Sequence, residues 1–307
     1  MVTAHKEHTM RTAQTPSDDY ELLDSGSGRK LERFGRYRLV RPCAQAIWPP
    51  ALSPSDWLGA DASFERRPGK GWQVRTQLPA SWSVTVEGMR FKLSPTDFGH
   101  LGIFPEQRRL WRWIERCVSE AVASGRGQVS VLNLFAYSGG ATLAAARCGA
   151  QVCHLDASKG MVGWARQNAE LNGLADSPIR WIVDDVNKFL DRELRRDRHY
   201  DAVILDPPTY GHGRNEEVYK IEDELVTTAR KCWTLLSEDP VFMLLSSHTP
   251  ACTPRALENI MHVTAPPGFS SHIESGEMLL EGKGRVLPVP SGTYCRWVRQ
   301  RKNHGKG

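Results

Sequence analysis

Paired cysteines are missing from this chain. Its seven cysteines, Cys43, Cys117, Cys148, Cys153, Cys232, Cys252 and Cys295, are scattered, and no two stand in a CxxC spacing. That spread argues against a disulfide framework and against a structural zinc site. No metal is expected, and reduced thiols of a cytoplasmic protein are the simple reading. Long apolar runs are also missing, and none approaches the roughly 20 residues of a membrane helix. The opening MVTAHKEHTMRTAQTPSDDY lacks the apolar segment of a secretory signal. Residues 1–15 read as a flexible tail, and the acidic Glu7, Asp18 and Asp19 speak against a transit peptide. A strong charge is missing too. The net charge of +5 permits nucleic acid as a partner without demanding it. No repeat of roughly 20 to 50 residues recurs, which excludes a solenoid. Nothing in the sequence sets an oligomeric state.

What the chain does contain changes texture near Pro105. Residues 16–105 are rich in tryptophan, proline and glycine, with short alternating runs. WSVTVEGMRFKL (Trp82–Leu93) alternates around Glu87-Gly88 as a hairpin does, and RYRLVRP (Arg36–Pro42) reads as another strand. A small β-rich domain follows, serving either as a cap on the larger domain or in substrate binding. Residues 106–307 alternate short apolar runs with helical stretches. PEQRRLWRWIERCVSEAV enters a helix at proline and places Leu110, Ile114, Cys117 and Ala121 on one face. The runs VSVLNLF, QVCHLD, IRWIVDD, YDAVILD and PVFMLLSSH are then separated by helices, and the chain ends in two strands around a proline-rich loop. This alternation predicts an α/β fold built on a doubly wound, mostly parallel sheet.

Ligands of such sheets bind beyond the carboxyl ends of the strands, so the residues after each strand carry the functional signal. After the first comes FAYSGGATLAA, whose Gly139 and Gly140 let backbone approach a ligand at a helix start. The third glycine of the dinucleotide fingerprint is missing, which weakens a nicotinamide or flavin reading. After the second comes Asp156, spaced to accept the hydroxyls of a ribose. After the third comes Asp184-Asp185. Asp185 is the candidate acceptor for an adenine amine, with its neighbour left to cap the next helix. After the fourth comes LDPPTYGHG, a carboxylate followed by two prolines that cannot continue a sheet, then an aromatic. Three acidic strand ends and a glycine turn suit an adenosyl group without a pyrophosphate, and S-adenosylmethionine fits that description better than a dinucleotide.

VLNLFAYSGGATLAAARCGAQVCHLDASKGMVGWARQNAELNGL, followed by DDVNKFL and ILDPPTYG, resembles the class I S-adenosylmethionine-dependent methyltransferases. Among these it is most similar to the bacterial large-subunit ribosomal RNA methyltransferases that modify cytosine or guanine. The similarity covers roughly residues 98 to 250, and FGHLGIFPEQR (Phe98–Arg108) is similar to the segment that helps close the family's cofactor pocket. The resemblance implies a Rossmann-like seven-stranded sheet and an RNA partner. It places Phe135, Tyr137, Ser138 and Gly139 at the methionine end of the cofactor, Asp156 at the ribose and Asp185 at the adenine. Gln107, Arg108 and Asp206 join the cofactor residues, and Asp206, Pro207, Pro208 and Tyr210 stand beside the reacting methyl. Members that methylate cytosine carbon carry a cysteine after the fifth strand, where this chain has Ser246, Ser247 and His248. Cys252, a few residues on, reads as a buried structural residue. The departure favours a nitrogen acceptor over carbon. Methylation of a small molecule or a protein amine, and a non-catalytic RNA-binding relative, are the alternatives.

Overall fold

The computed structural model describes residues 18–66, 71–212, 218–267, 269 and 272–299. The expected tail of residues 1–15 and Gly213 of the proline segment lie outside these.

Alternation of buried and exposed residues builds the first sheet from β1 (Tyr20–Gly26), β2 (Arg29–Phe34), β3 (Tyr37–Pro42), β4 (Ala62–Glu65) and β5 (Gly71–Val74), in that spatial order. The short helix α1 (Pro54–Leu58), closed by a Ser53/Asp56 capping box, makes the crossover that lets β4 run parallel to β3. The expected hairpin forms from β6 (Trp82–Val86) and β7 (Met89–Leu93), with Glu87 and Gly88 both at positive φ, as a two-residue turn requires. Its outer edge is not left open. Asn168 and Asn172 accept from the backbone N–H groups of Lys92 and Arg90, each at 2.8 Å.

The second sheet contains β8 (Ser130–Leu134), β9 (Gln151–Asp156), β10 (Ile179–Val183), β11 (Ala202–Leu205), β14 (Phe242–Ser247), β15 (Ile273–Leu280) and β16 (Val289–Val298). Their order is β10-β9-β8-β11-β14-β16-β15. The first five are parallel, and β16 and β15 close the edge antiparallel. The connecting helices are α3 (Gly140–Ala146), α4 (Lys159–Leu171), α5 (Val186–Arg195), α6 (Ile221–Thr234) and α7 (Pro254–Thr264), while α2 (Arg108–Ala121) precedes the sheet. The seven-stranded, doubly wound architecture and its β-rich N-terminal companion are as the sequence predicted. The short strands β12 (Tyr210–His212) and β13 (Val218–Lys220) pair beside the sheet.

Both faces of the central strands are covered, which is why they read as unbroken apolar runs. Val131, Val152, Ala202 and Leu244 pack with α2 and α3 on one face, and Leu132, Leu134, Val203 and Leu245 pack with α5, α6 and α7 on the other. The buried stripe of α2 contains Leu110, Ile114, Cys117 and Ala121, as its spacing predicts. The first core runs on into the N-terminal region through Tyr20, Phe34 and Phe91, the last stacked 5.3 Å from Trp111. From β8 the chain winds outward to β9 and β10, then returns to place β11 on β8's other side. The strand order therefore switches between β8 and β11, and a crevice opens at their carboxyl ends.

Candidate active site

The turn after β8 is strained in a specific way. Phe135 and Tyr137 sit at φ of 54° and 50°, a left-handed region that non-glycine residues rarely occupy. This twist directs the Tyr137 N–H at Asp156 Oδ2, 2.9 Å away, while the Ser158 N–H donates to Oδ1 at 2.9 Å. Each carboxylate oxygen keeps a second lone pair for a ligand donor. Burial pushes the Asp156 carboxyl above its usual range, and the two N–H donors oppose that shift. Gly139 follows at φ of 91°, where a β-carbon would stand 3.1 Å from that of Ala165, so the turn packs directly on α4. Beneath it, Asn133 donates to Thr142 Oγ1 at 2.9 Å, and Thr142 pairs with His154 Nδ1 at 2.8 Å. Burial pulls the His154 pKa down to about 3, so the imidazole is neutral and the turn's floor is an uncharged hydrogen-bonded stack.

The segment expected to close the pocket lies across this turn. Ser138 Oγ donates to the Gly102 carbonyl, and Asn168 Nδ2 donates to the Ser138 carbonyl at 2.9 Å. Gly102 has a φ of 95°, and a β-carbon there would come within 2.1 Å of the Trp164 ring. Phe104 stacks obliquely on Tyr137 at 5.1 Å and on His248 at 5.0 Å. Burial raises the Tyr137 phenol to about 12, so it stays a neutral donor.

At the end of β11 the chain turns through buried Pro207 and half-buried Pro208. Asp206 is clasped by side chains from distant elements. Gln107 Nε2 donates to Oδ2 at 2.6 Å and Ser246 Oγ donates to Oδ1 at 2.7 Å. His248 Nδ1 lies 3.9 Å from the same Oδ1. A narrow cavity of about 40 Å³ brings together Phe135, Tyr137, Ser138, Gln107, Asp206 and Ser246. Tyr210 is 58% exposed at the start of β12, with its neighbour Thr209 tied to Thr249 at 2.8 Å. It stands outside the cavity rather than in its wall.

Two of the expected residues have protein partners of their own. Arg108, grouped with the cofactor residues, is directed the other way. It lies over the Tyr20 ring, pairs with Asp18 at 3.9 Å and donates to the Glu281 carbonyl at 3.2 Å. One residue along a helix start rotates a side chain by about 100°, so Gln107 and Arg108 cannot share a face. The second concerns the acidic pair after β10. Asp185 itself caps α5, accepting from the Lys188 N–H at 2.9 Å, and Asp184 pairs with Arg192. The cap geometry still places Asp185 one strand beyond Asp156, since Val183 and Asp156 are in register. Cys252 is 9% exposed within the second core, as the structural reading expected.

Sequence reasoning missed Glu106, Ser246 and His248 as site residues. Ser246, next to last in β14, and His248, just past it, stand at the strand end, the position that exposed the other acidic corners, and were noted only for the cysteine they replace. Glu106 gave no signal, because its partner lies far along the chain.

The donor set matches an adenosyl sulfonium. Among the described residues no lysine or arginine lines the cavity, whose apolar and aromatic wall carries one carboxylate, Asp206, with the hydroxyls of Ser138 and Ser246 and the amides of Gln107 and Asn133. Such a wall attracts a cation and offers a pyrophosphate nothing to neutralise it. Similarity to known proteins agrees. A family model described as S-adenosylmethionine-dependent methyltransferase matches residues 59–267. A solved S-adenosylmethionine-dependent methyltransferase of Agrobacterium tumefaciens is 36% identical, with a TM-score of 0.87 over 92% of this chain and 91% of that one. Among curated proteins, the ribosomal RNA large subunit methyltransferase K/L of Syntrophotalea carbinolica is 31% identical over 67% of this chain and 29% of its own length. That of Shewanella loihica is 34% identical over 50% of this chain and 20% of its own. The chain thus spans less than a third of the length of these curated relatives. The chain belongs to the S-adenosylmethionine-dependent methyltransferases and is an enzyme of that class.

Proposed function

We propose that this methyltransferase acts on a nitrogen of an RNA base, and that ribosomal RNA is the substrate to test first. The observation that carries the reading is the Asp206 corner, a clasped carboxylate followed by two prolines and an exposed tyrosine. The cofactor supplies a methyl group already activated on sulfur, so the protein's task is to position an acceptor and exclude water. Asp206 and the Pro207 carbonyl accept the hydrogens of an amine and turn its lone pair toward the methyl. Tyr210 offers a flat face on which a base stacks, commonly worth ~1–3 kcal/mol. A base that starts in a duplex is flipped out to reach it. Covalent activation of a ring carbon needs a thiolate. Ser246 and Ser247 end β14, and Cys252 is committed to the core.

The names of the curated relatives support the RNA part of this reading. By the same reading, Phe135, Tyr137, Ser138 and Gly139 hold the methionine end, Asp156 the ribose and Asp185 the adenine. Residues 16–105 form an acceptor-side module in front of a catalytic unit of residues 106–307, and the enzyme works in the cytoplasm, where its RNA is. The test uses the purified chain, tritiated S-adenosylmethionine and two acceptor pools: ribosomal RNA from cells lacking the protein, and a protein-free metabolite extract. Label in RNA, recovered as an N-methyl base after nuclease digestion, is the expected outcome. Label confined to the metabolites overturns the RNA assignment, and a C-methyl base overturns the nitrogen assignment.

A further inference from the structure

Behind the Asp206 corner lies a pair of ionisable groups that the positioning of the acceptor does not use. Glu106 is 5% exposed and stands on the same short turn, Pro105–Gln107, that delivers Gln107 to Asp206. Its Oε1 is 3.4 Å from His248 Nε2, an ion-pair distance without the alignment of a good hydrogen bond. Its Oε2 is buried and makes no hydrogen bond among the described residues. The other face of the same imidazole, Nδ1, is 3.9 Å from Asp206 Oδ1. His248 thus bridges a carboxylate inside the protein and the carboxylate at the reaction corner. Phe104 covers its ring at 5.0 Å, and a β-carbon at Gly292 would come within 3.2 Å of its Cδ2. Burying a carboxylate costs several kcal/mol unless a partner offsets it, and a core apolar residue would fill this position without that cost. A charged Glu106 here calls for a role.

We propose that His248 is the proton acceptor of the methyl-transfer reaction, with Glu106 as its positioning residue. The assignment rests on the nitrogen-acceptor reading above. With the Nε2 proton held toward Glu106, the neutral imidazole presents its Nδ1 lone pair to the corner where the acceptor amine sits. The amine lone pair forms the new N–C bond as the carbon–sulfur bond breaks, leaving its electron pair on sulfur. The N–H proton of the methylated amine passes to Nδ1, and the resulting imidazolium lies between two carboxylates that stabilise it. The proton then leaves to solvent when product departs. The geometry repeats the base-and-orienter logic of hydrolase triads on an unrelated fold.

The electrostatics agree in sign. Burial pulls the His248 pKa down, but Glu106 and Asp206 outweigh it and hold the group above 6.5, with Lys30 opposing them. Burial pushes Glu106 up, yet His248 and Lys30 bring it to about 2, so it stays an anion across the working range. Among the described residues, His100, held to about 4 mainly by burial, and Arg41 and Tyr20, both bonded to Glu32, also act on this pair. Because the neutral form of His248 accepts the proton, transfer is expected to rise with pH through the raised pKa and to level off above it.

Two measurements on the full chain test this. Nitrogen-15 histidine spectra across pH, with His248→Asn used to assign the signal, report which ring nitrogen carries the proton without needing an acceptor. The expected result is an Nε2–H tautomer with a pKa above 6.5 that falls in Glu106→Gln. An Nδ1–H tautomer, or a pKa unmoved in Glu106→Gln, overturns the proposal. Transfer of label to ribosomal RNA is then followed against pH. His248→Asn is expected to lose about 100-fold in kcat together with the rising limb, with the S-adenosylmethionine Kd within about 3-fold. Glu106→Gln is expected to move the limb to lower pH. A rate and pH limb unchanged in His248→Asn overturn the assignment. If the wild-type chain does not label RNA, the substrate reading fails separately, and the spectra still decide the role of His248.

Discussion

Asp156 and Asp206 both stand at carboxyl ends of parallel strands of one sheet, β9 and β11, yet they are held in opposite ways. Asp156 is gripped by two backbone N–H groups, those of Tyr137 and Ser158. Asp206 is gripped by two side chains, Gln107 and Ser246, which arrive from 99 and 40 residues away in sequence. Backbone donors are fixed by the fold and are not removed by changing a side chain, which suits the cofactor-binding role proposed for Asp156. Side-chain donors can be exchanged one by one, so the corner proposed to meet the acceptor can be tuned without touching the main chain. In the proposed roles binding and chemistry are separable, and substitutions should show it.

The largest effect is expected at the chemical corner. Asp206→Ala removes the acceptor of the amine hydrogens and leaves Gln107 and Ser246 without a partner. A fall in transfer of roughly 100- to 1000-fold follows, the scale on which losing one preorganised hydrogen-bonding group acts. The Kd for S-adenosylmethionine, measured by calorimetry, should stay within about 3-fold. Near-normal transfer would remove Asp206 from the mechanism, and abolished cofactor binding would show that the two corners are not separable. Asp156→Ala should give the mirror result. It deletes a charged acceptor worth about 1.5–3 kcal/mol, so the cofactor Kd rises roughly 10- to 100-fold. At saturating cofactor the rate should return to within a few-fold of wild type. A rate that stays low would place Asp156 in the chemistry as well.

The clasps themselves should differ next. Gln107→Ala and Ser246→Ala each free one oxygen of Asp206, and each should lower kcat by about 10-fold, equivalent to about 1.4 kcal/mol. Because they hold one carboxylate from two sides, the double variant should depart from the product of the single effects. Strict additivity in steady-state kinetics would mean that the clasps act independently of the Asp206 geometry.

How much of this was legible in the sequence follows the same division. Asp156 was singled out because it ends a short apolar strand, a feature written within a few residues, although the Tyr137 N–H that holds it lies 19 residues earlier. Asp206 was found for the same reason, but Gln107 was grouped with the cofactor residues rather than paired with Asp206, and Ser246, His248 and Glu106 were not recognised as its surroundings. No spacing rule relates residues brought together only by tertiary folding. The central sheet was readable because parallel strands buried on both faces form plain apolar runs, and α2 carries its expected buried stripe of Leu110, Ile114, Cys117 and Ala121. In contrast, β1 and β2 were not recognised. The buried side of this pair includes Glu32 and Lys30, with Arg41 beside them on β3, so a satisfied ionic network interrupts the apolar alternation. The β12–β13 pair is only three residues a side, too short for any periodic signal.

The smallest effect should be the most telling about the backbone-held corner. Ser158 supplies one N–H to Asp156 and also caps α4, its Oγ accepting from the Met161 N–H at 3.3 Å. Ser158→Ala keeps the N–H and deletes only the cap. Helix stability should fall by about 1 kcal/mol, read as a lower midpoint in urea unfolding. The cofactor Kd should hold within about 2-fold, because the donor that fixes Asp156 belongs to the main chain. The matched substitution at the other corner, Ser246→Ala, also removes a serine hydroxyl beside a strand-end aspartate, but there the hydroxyl is itself the clasp. Loss of turnover in Ser246→Ala with none in Ser158→Ala would establish the division between main-chain and side-chain support. Equal losses in the two variants would show that both corners depend on side-chain hydroxyls, and the distinction would fall.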